Sequence, residues 1–377
     1  MTTTGKRTLL GYVAFCGLIL VLPFLLRGNS YLLNKSALYM ALAMATVALS
    51  FTWGYAGILN LGQAVSFGIG AYAMAMHLKL VASAGNPGGL PDFMTWNSVG
   101  TLPLVWTPFH SLLVSVILGI GVSVLVSTLI GWFIFRARIS GVFVAIITLA
   151  LLVVVNLVVV TEQGLTAGWN GITNLADVTV GGVDIGSYGF GFYYLVGITL
   201  VVVLLLGWYA TRTKTGLVLR AINSNTQRAR YLGYDVAAYE TFAYASSAGV
   251  AAIAGMYYAV GNSFASPTFM AVPFSLSIVI WCAVGGRRSL IAAAIGALVV
   301  NAIQGALSSD LLDVSNLVIG ALFVIIVLFL PEGIVPEIGG AFRRIWTSLV
   351  GYSGARPHTP KERMPGQGTS KFTGGQK

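Results

Sequence analysis

Asn60 and Gln63 stand three residues apart inside an apolar stretch, and so do Asn301 and Gln304. On a helix that spacing puts both side chains of a pair on one face. A carboxamide carries two donors and an acceptor oxygen, so each pair is suited to a small amide-like or amino-acid solute. Asn156, near the end of an apolar run, and Trp281, as a pore aromatic, are two further candidates for a solute pathway. The competing reading is structural: a carboxamide between membrane helices is a tie of about 0.6 kcal/mol, and a Trp near a helix end is an interface anchor. What these stretches lack is equally informative. Their middles hold no Asp, Glu, Lys, Arg or His, whereas a proton relay or ion-coupled pump needs a group that changes charge inside the bundle. No G-x-x-x-x-G-K-[ST] phosphate cradle occurs, since the Gly5-Lys6 pair has no upstream Gly and continues into Arg7. Cys16 and Cys282 lie in separate apolar runs, which leaves neither a disulfide framework nor a cysteine metal site. The expectation is a chain with no catalytic residue, no bound metal and no cofactor of its own, handling a neutral or zwitterionic species. Any energy, such as ATP, would be used by partner subunits.

Only helices can position such residues. Of 377 residues, 56% are hydrophobic and 8% charged, against roughly a quarter charged in a soluble domain, and the mean hydropathy is +0.85. A soluble fold is excluded, and the net charge of +10 reflects loop sidedness rather than nucleic-acid binding. Apolar runs fall at 9–26, 37–51, 58–76, 112–134, 141–160, 192–210, 240–260, 272–284, 289–306 and 317–330. The fold class expected is all-α: a polytopic transmembrane bundle of about ten helices, including short or broken segments such as 37–51 and 272–284. Residues 9–26 are read as a retained helix, longer than a signal-peptide core and without a small-x-small site after Leu26. Loops rich in Lys and Arg stay in the cytoplasm. With the N-terminus inside, ten crossings put every Lys and Arg there except Arg27, Lys35 and Lys79, and both termini are cytoplasmic. A single long crossing over 37–76 would invert everything downstream, so Trp53-Gly54-Tyr55-Ala56-Gly57 is expected to reverse the chain. A second geometry keeps that Gly-rich break at mid-membrane depth, its free backbone lining a cavity. Gly62, Ser66 and Gly70, and Ala293, Ala297, Asn301 and Gly305, repeat the small-xxx-small spacing of close helix contacts.

Two loops and the tail complete the sequence reading. The basic stretch 211–235 contains Ser224-Asn225-Thr226-Gln227, which reads as a capping box, and Gly233, which reads as a helix stop. A helix of about eight residues between them is too short to stand alone. It either lies on anionic lipid through Arg220, Arg228 and Arg230 or docks a cytoplasmic motor. Residues 161–191 carry Glu162, Asp177 and Asp184 but no Lys or Arg, as a solvated loop, a vestibule or a dock for a delivery protein would. The domain organisation expected is a transmembrane domain over 1–336 and a basic, disordered tail over 337–377, rich in Pro, Gly, Ser and Thr.

The sequence Trp53-Gly54-Tyr55-Ala56-Gly57, then Leu59-Asn60-Leu61-Gly62-Gln63 and Phe67-Gly68-Ile69-Gly70-Ala71-Tyr72, resembles a signature of the membrane subunits of branched-chain amino-acid-type ABC importers. Asn60 and Gln63 stand where Ser and His are common in that family. The stretch from Ala221-Ile222 to Leu232-Gly233 is similar to its ATPase-coupling loop, with Ser, Thr and Gln in place of the usual acids. Val284-Gly285-Gly286-Arg287 and Leu330-Pro331-Glu332-Gly333-Ile334 are similar to two further landmarks. Within the family the nearer likeness is to the urea-type permeases, second of the two membrane subunits, through Leu90-Pro91-Asp92-Phe93-Met94, Leu102-Pro103, Pro108-Phe109, Tyr72-Ala73-Met74-Ala75-Met76 and Ile278-Val279-Ile280-Trp281. The resemblance implies a non-enzymatic permease subunit of an ATP-driven importer in a bacterial plasma (inner) membrane, translocating urea or, alternatively, branched-chain amino acids. It implies a second homologous permease subunit, two cytoplasmic ATPases and an extracytoplasmic substrate-binding protein as partners. Arg220, Ala221, Gln227, Arg228, Arg230 and Gly233 are then the ATPase-coupling residues. A stand-alone channel for a small neutral solute is the rival reading.

Overall fold

The computed structural model describes residues 3–25, 28–180, 183–310 and 320. Its helices are α1 (Thr3–Leu25), α2 (Ser30–Ser50), α3 (Gln63–Ala82), α4 (Asp92–Trp96), α5 (Leu112–Arg136), α6 (Val142–Thr161), α7 (Gln163–Thr166), α8 (Phe190–Arg212), α9 (Lys214–Ser224), α10 (Thr226–Tyr231), α11 (Val236–Asn262), α12 (Val272–Gly285) and α13 (Leu290–Asp310). Every apolar run up to residue 306 falls on one of them for most of its length, and the architecture is an all-α polytopic bundle. Among the described residues five segments are long and apolar enough to cross a membrane: Ser30–Ala56, Gln63–Ala82, Leu112–Arg136, Val142–Thr161 and Phe190–Arg212. A two-stranded antiparallel ribbon, β1 (Val178–Val180) with β2 (Val183–Ile185), departs from the all-helical plan. The run 317–330, the landmark 330–334 and the tail from 337 lie outside the described residues.

Three sequence-level expectations change. The run 37–51 is not short. Asn29 caps α2 by accepting from the Tyr31 and Leu32 amides at 3.1 and 3.3 Å, and a π-helical turn over Phe51–Ala56 prolongs it into a span of 27 residues. At the Gly-rich break the π turn stops and an unwound stretch follows. The chain turns at Gly57, which is left-handed (φ 77°) and closes the π turn through its amide onto the Thr52 carbonyl. Yet α3 begins only at Gln63, beside Ser247 well inside α11, so residues 58–62 run unwound within the bundle. Finally, 272–284 and 289–306 form a sharply bent pair. α12 has 14 residues, about 21 Å, too short for a hydrocarbon core of about 30 Å, and it is bent by 117° to α13, as a broken span or a re-entrant loop would be.

The core is organised on α11. At 27 residues it spans about 40 Å, but its buried face is mostly Ala, Gly and Ser, and composition alone does not mark it as a span. Burial between α2, α3 and α5 compensates. Small side chains let the backbones meet: a Cβ on Gly70 of α3 would strike the Ala252 carbonyl, and one on Gly255 of α11 would strike the Phe67 carbonyl. Ser123 of α5 donates to the Ala248 carbonyl at 3.1 Å, and Ser66 and Ser127 lie 3.4 Å apart. By contrast α5 and α6 turn Leu113, Ile117, Leu125, Leu129, Val153 and Leu157 outward, as helices facing lipid do.

Charge separates along the bundle. One end gathers Asp92, Glu162, Asp177 and Asp184 around the segments before α5 and before α8. There Lys79 donates to Asp92 at 3.0 Å, and with Asn86 at 2.9 Å it holds that carboxyl below its ordinary range. The opposite end, where α5 finishes beside Thr241 and Tyr244 of α11, carries Arg136, Arg138, α9, α10 and the α12–α13 turn with Arg287 and Arg288. We refer to these as the acidic and basic ends.

Candidate functional site

The unwound segment between Gly57 and Gln63 is the chemical centre of the fold, because its backbone groups have no helix to satisfy them and sit away from water. Three neighbouring helices each contribute one hydroxyl. Thr148 of α6 accepts from the Leu61 amide at 3.1 Å, Ser275 of α12 donates to the Leu61 carbonyl at 2.5 Å, and Ser247 of α11 joins the segment to α2. Asn60 Nδ2 donates to Gln63 Oε1 at 2.7 Å, Gln63 Nε2 donates to Ser247 Oγ at 2.9 Å, and Ser247 Oγ donates to the Ala48 carbonyl at 2.8 Å. Asn60 Oδ1 accepts from the Gly62 amide at 2.9 Å. The pairing of Asn60 with Gln63 read from their spacing therefore exists, but it ties protein to protein, and both side chains are buried.

Ser247 also marks where this network meets open space. With Ala48 it lines a cavity of about 220 Å³ between α2, α8 and α11, walled by Val47, Phe51, Leu206 and Val250. On the other side of α11 a cavity of about 470 Å³ is walled by Val124, Thr128, Trp132 and Thr241. Phe242 and Ser246 border both. The lining of each is apolar relieved by hydroxyls, with no Asp, Glu, Lys, Arg or His. Such walls accommodate an apolar side chain and offer no charge to titrate.

The basic segment 211–235 is more structured than its sequence suggested. α9, which the sequence reading left out, buries Val218, Leu219 and Ile222; the apolar spacing 218, 219, 222 was the available signal. Val218, Ile222, Ala229 and Val236 then form a small core of their own. The capping box is corrected: Asn225, not Ser224, caps the following helix by accepting from the Arg228 amide at 2.9 Å. That helix, α10, has six residues rather than about eight. Gly233 is left-handed as expected (φ 86°). Outside this small core Tyr231 is 90% and Leu232 71% exposed, with Ala221, Gln227 and Arg228 exposed nearby. The inner side of α9 touches the break: Asn223 Nδ2 donates to the Gly54 carbonyl at 3.3 Å, and a Cβ on Gly57 would meet Asn223 Oδ1.

The remaining candidates do not join the Asn60–Gln63 cluster. Asn156 donates to the Pro267 carbonyl at 2.7 Å. Asn301 donates to the Ala297 carbonyl of its own helix at 2.8 Å, with Gln304 half-buried one turn on. Trp281 is buried, its ring 6.3 Å from that of Phe274. Residues the sequence did not single out, Thr148, Ser247 and Ser275, are lone hydroxyls in apolar helices, and no local pattern distinguishes them. Replacing Gln63 by Leu should orphan the Asn60 donor and remove a partner of Ser247, at about 1–3 kcal/mol. A lower melting temperature of the full chain in detergent is the expected reading, and an unchanged one would mean that these groups are not held by Gln63.

Comparison with known proteins bears on the whole bundle. A family described as branched-chain amino acid transport system / permease component matches residues 31–327. The chain is 27% identical over 340 residues to the high-affinity branched-chain amino acid transport system permease protein LivM of Salmonella typhimurium, covering 83% of this chain and 72% of that one. To the protein of the same name from Escherichia coli it is 27% identical over 350 residues, covering 86% and 74%. To a probable branched-chain amino acid transport permease protein LivM of Methanocaldococcus jannaschii it is 24% identical, covering 78% and 90%. No solved structure matches significantly.

Proposed function

The chain belongs to the branched-chain amino acid transport system permease family, and from that premise we propose that it is one membrane subunit of an ATP-driven importer of branched-chain amino acids. It is a multi-pass transport subunit, not an enzyme. In this reading a second homologous permease subunit, two ATPases and an extracytoplasmic binding protein complete the machine, in a bacterial inner membrane. The basic end faces the cytoplasm, because loops rich in Lys and Arg are retained there, and the acidic end faces the binding protein. The names of the relatives favour amino acids over urea, and the apolar, hydroxyl-bearing walls of the two cavities suit a branched aliphatic side chain.

One observation carries the mechanism: α9 rests on Gly54 and Gly57, where the span Ser30–Ala56 gives way to the unwound segment. An ATPase seated on Arg220, Ala221, Gln227, Arg228, Arg230 and Gly233 would displace α9 as a unit, since its small core couples α9 to α10 and to the start of α11. The displacement reaches residues 58–62 through Asn223, and then Ser247 and the cavity wall through Asn60 and Gln63. Unwound backbone is the part of the bundle able to move without breaking a helix. No covalent step is needed, and the chain's task is to alternate access.

Uptake of labelled leucine and labelled urea by cells lacking this chain tests the substrate. Loss of ATP-dependent leucine uptake with urea uptake intact is the expected result. Loss of urea uptake alone would restore the urea alternative, and leucine flux through this chain that persists in ATP-depleted cells would replace the importer with a channel.

A further inference from the structure

We propose that the basic end carries a binding site for a phosphate group, formed by Arg220 and Arg288 at the end of the Ser30–Ala56 span. A concave site of about 490 Å³ opens there, lined by Gly54, Tyr55, Arg220, Asn223, Ser224 and Arg288. Three elements meet at it: the π turn after α2, α9, and the turn between α12 and α13. The Arg220 guanidinium lies over the Tyr55 ring, 4.9 Å from its centroid, and Arg287 lies beside the site over Trp53 at 5.2 Å. Aromatic faces hold both cations without neutralising them. Among the described residues the one ion pair is Lys79–Asp92, at the other end of the bundle, so no carboxylate among the described residues balances Arg220, Arg287 or Arg288. Like charges gathered around a concavity repel one another, and an anion placed between them removes that cost.

The donors select the kind of anion. A guanidinium presents a planar fork that matches phosphate bidentately, while the Ser224 hydroxyl and Asn223 carboxamide add neutral donors on the same wall. The volume exceeds that of a bare phosphate ion and admits a phosphate with a small group attached. Trp53 and Tyr55 lie at the end of the span, and aromatic residues are enriched where membrane helices meet headgroups. A phospholipid headgroup and a soluble phosphate share this chemistry. Either would bridge α9 to α2 and to the α12–α13 turn, at the joint where Asn223 touches Gly54. This inference rests on the charges and shape of this chain alone, and is independent of the solute proposed above.

Native mass spectrometry of the full-length chain in detergent, with phosphatidylglycerol against phosphatidylcholine, and calorimetric titration with inorganic phosphate test it. Arg220→Gln combined with Arg288→Gln should weaken binding of the phosphate-bearing probe about tenfold or more, the expected scale when charge-assisted hydrogen bonds are lost. Arg136→Gln combined with Arg138→Gln removes equal charge at the same end and should leave binding unchanged. Retention of phosphatidylglycerol without inorganic phosphate would assign the site to a lipid headgroup, and binding of both would assign it to a soluble phosphate. Equal weakening in the two double variants, or none in either, would overturn the proposal as general charge attraction. Loss of ATPase association with no phosphate binding at all would overturn it in favour of a protein carboxylate. Should the first variant fail to fold, the unsubstituted chain decides: the same probes must slow phenylglyoxal modification of Arg220 and Arg288 but not of Arg138, and absence of protection overturns the site.

Discussion

Replacing Gly255 by valine is expected to remove the folded chain from the membrane. Gly255 lies where α11 crosses α3, and the neighbour that any Cβ meets is the Phe67 carbonyl, a backbone atom with no rotamer in which to retreat. The reciprocal position, Gly70, faces the Ala252 carbonyl, so the two backbones are in contact at both points and neither can slide past the other. Extra methyl groups in a packed core cost about 1–3 kcal/mol when side chains can adjust. Here a helix has to move, and the helix is α11, which also organises α2 and α5. Membrane lipid offers no hydrophobic force to press the helices back together. The measurement is the amount of monodisperse full-length chain recovered in detergent: near zero for Gly255→Val, and normal for Gly17→Ala, whose added Cβ meets nothing within 4 Å. Normal recovery of Gly255→Val would mean that the α3–α11 contact is not the keystone of the bundle.

Replacing Tyr231 and Leu232 together by serine should reduce ATP-dependent uptake tenfold or more, while membrane level and melting temperature stay as they were. Both side chains stand in the open, 90% and 71% exposed, on a segment held from beneath by Val218, Ile222, Ala229 and Val236. A large aromatic and a leucine presented to solvent on a rigid base add nothing to folding. At an interface, buried aromatic anchors are worth 2 kcal/mol or more each, and about 1.4 kcal/mol is a factor of ten. Arg228 and Arg230 flank them, and reversing those charges to Glu should lower the rate of ATPase association and its salt dependence rather than abolish it. Uptake that survives the serine pair would show that the motor engages elsewhere, and a fall in melting temperature would show that the two residues belong to the fold instead.

Composition and charge already carried the fold class here. A chain with 8% charged residues and apolar runs of span length has no soluble solution, and the glycine-rich stretch 53–57 marked where the helix stops, at the left-handed Gly57. Small-residue spacing located Gly70 on a close helix contact, because only residues without bulk permit one. α9 escaped notice because its basic, polar composition hid an apolar edge of three residues. Capping is decided by which residue leaves the helical region, and that is Asn225 (φ −158°) rather than Ser224.

The unwound path of residues 58–62 was beyond any local pattern, since its backbone is tied by Thr148 and Ser275 and its end at the Gln63 side chain by Ser247, which lie tens to hundreds of residues away along the chain. Likewise Asn60 and Gln63 were recognisable as polar residues on one face, but whether they greet a solute or each other depends on what stands opposite, and Ser247 stands opposite. The sequence by itself determined that this chain is a membrane bundle of helices, which residues are polar within it, and which end is basic, because hydropathy, helical period and charge are properties read residue by residue. Only the tertiary structure decided that α11 is the central helix, that α3 starts in mid-bundle, and that α9 bears on the break, because each follows from contacts between segments that no stretch of sequence contains.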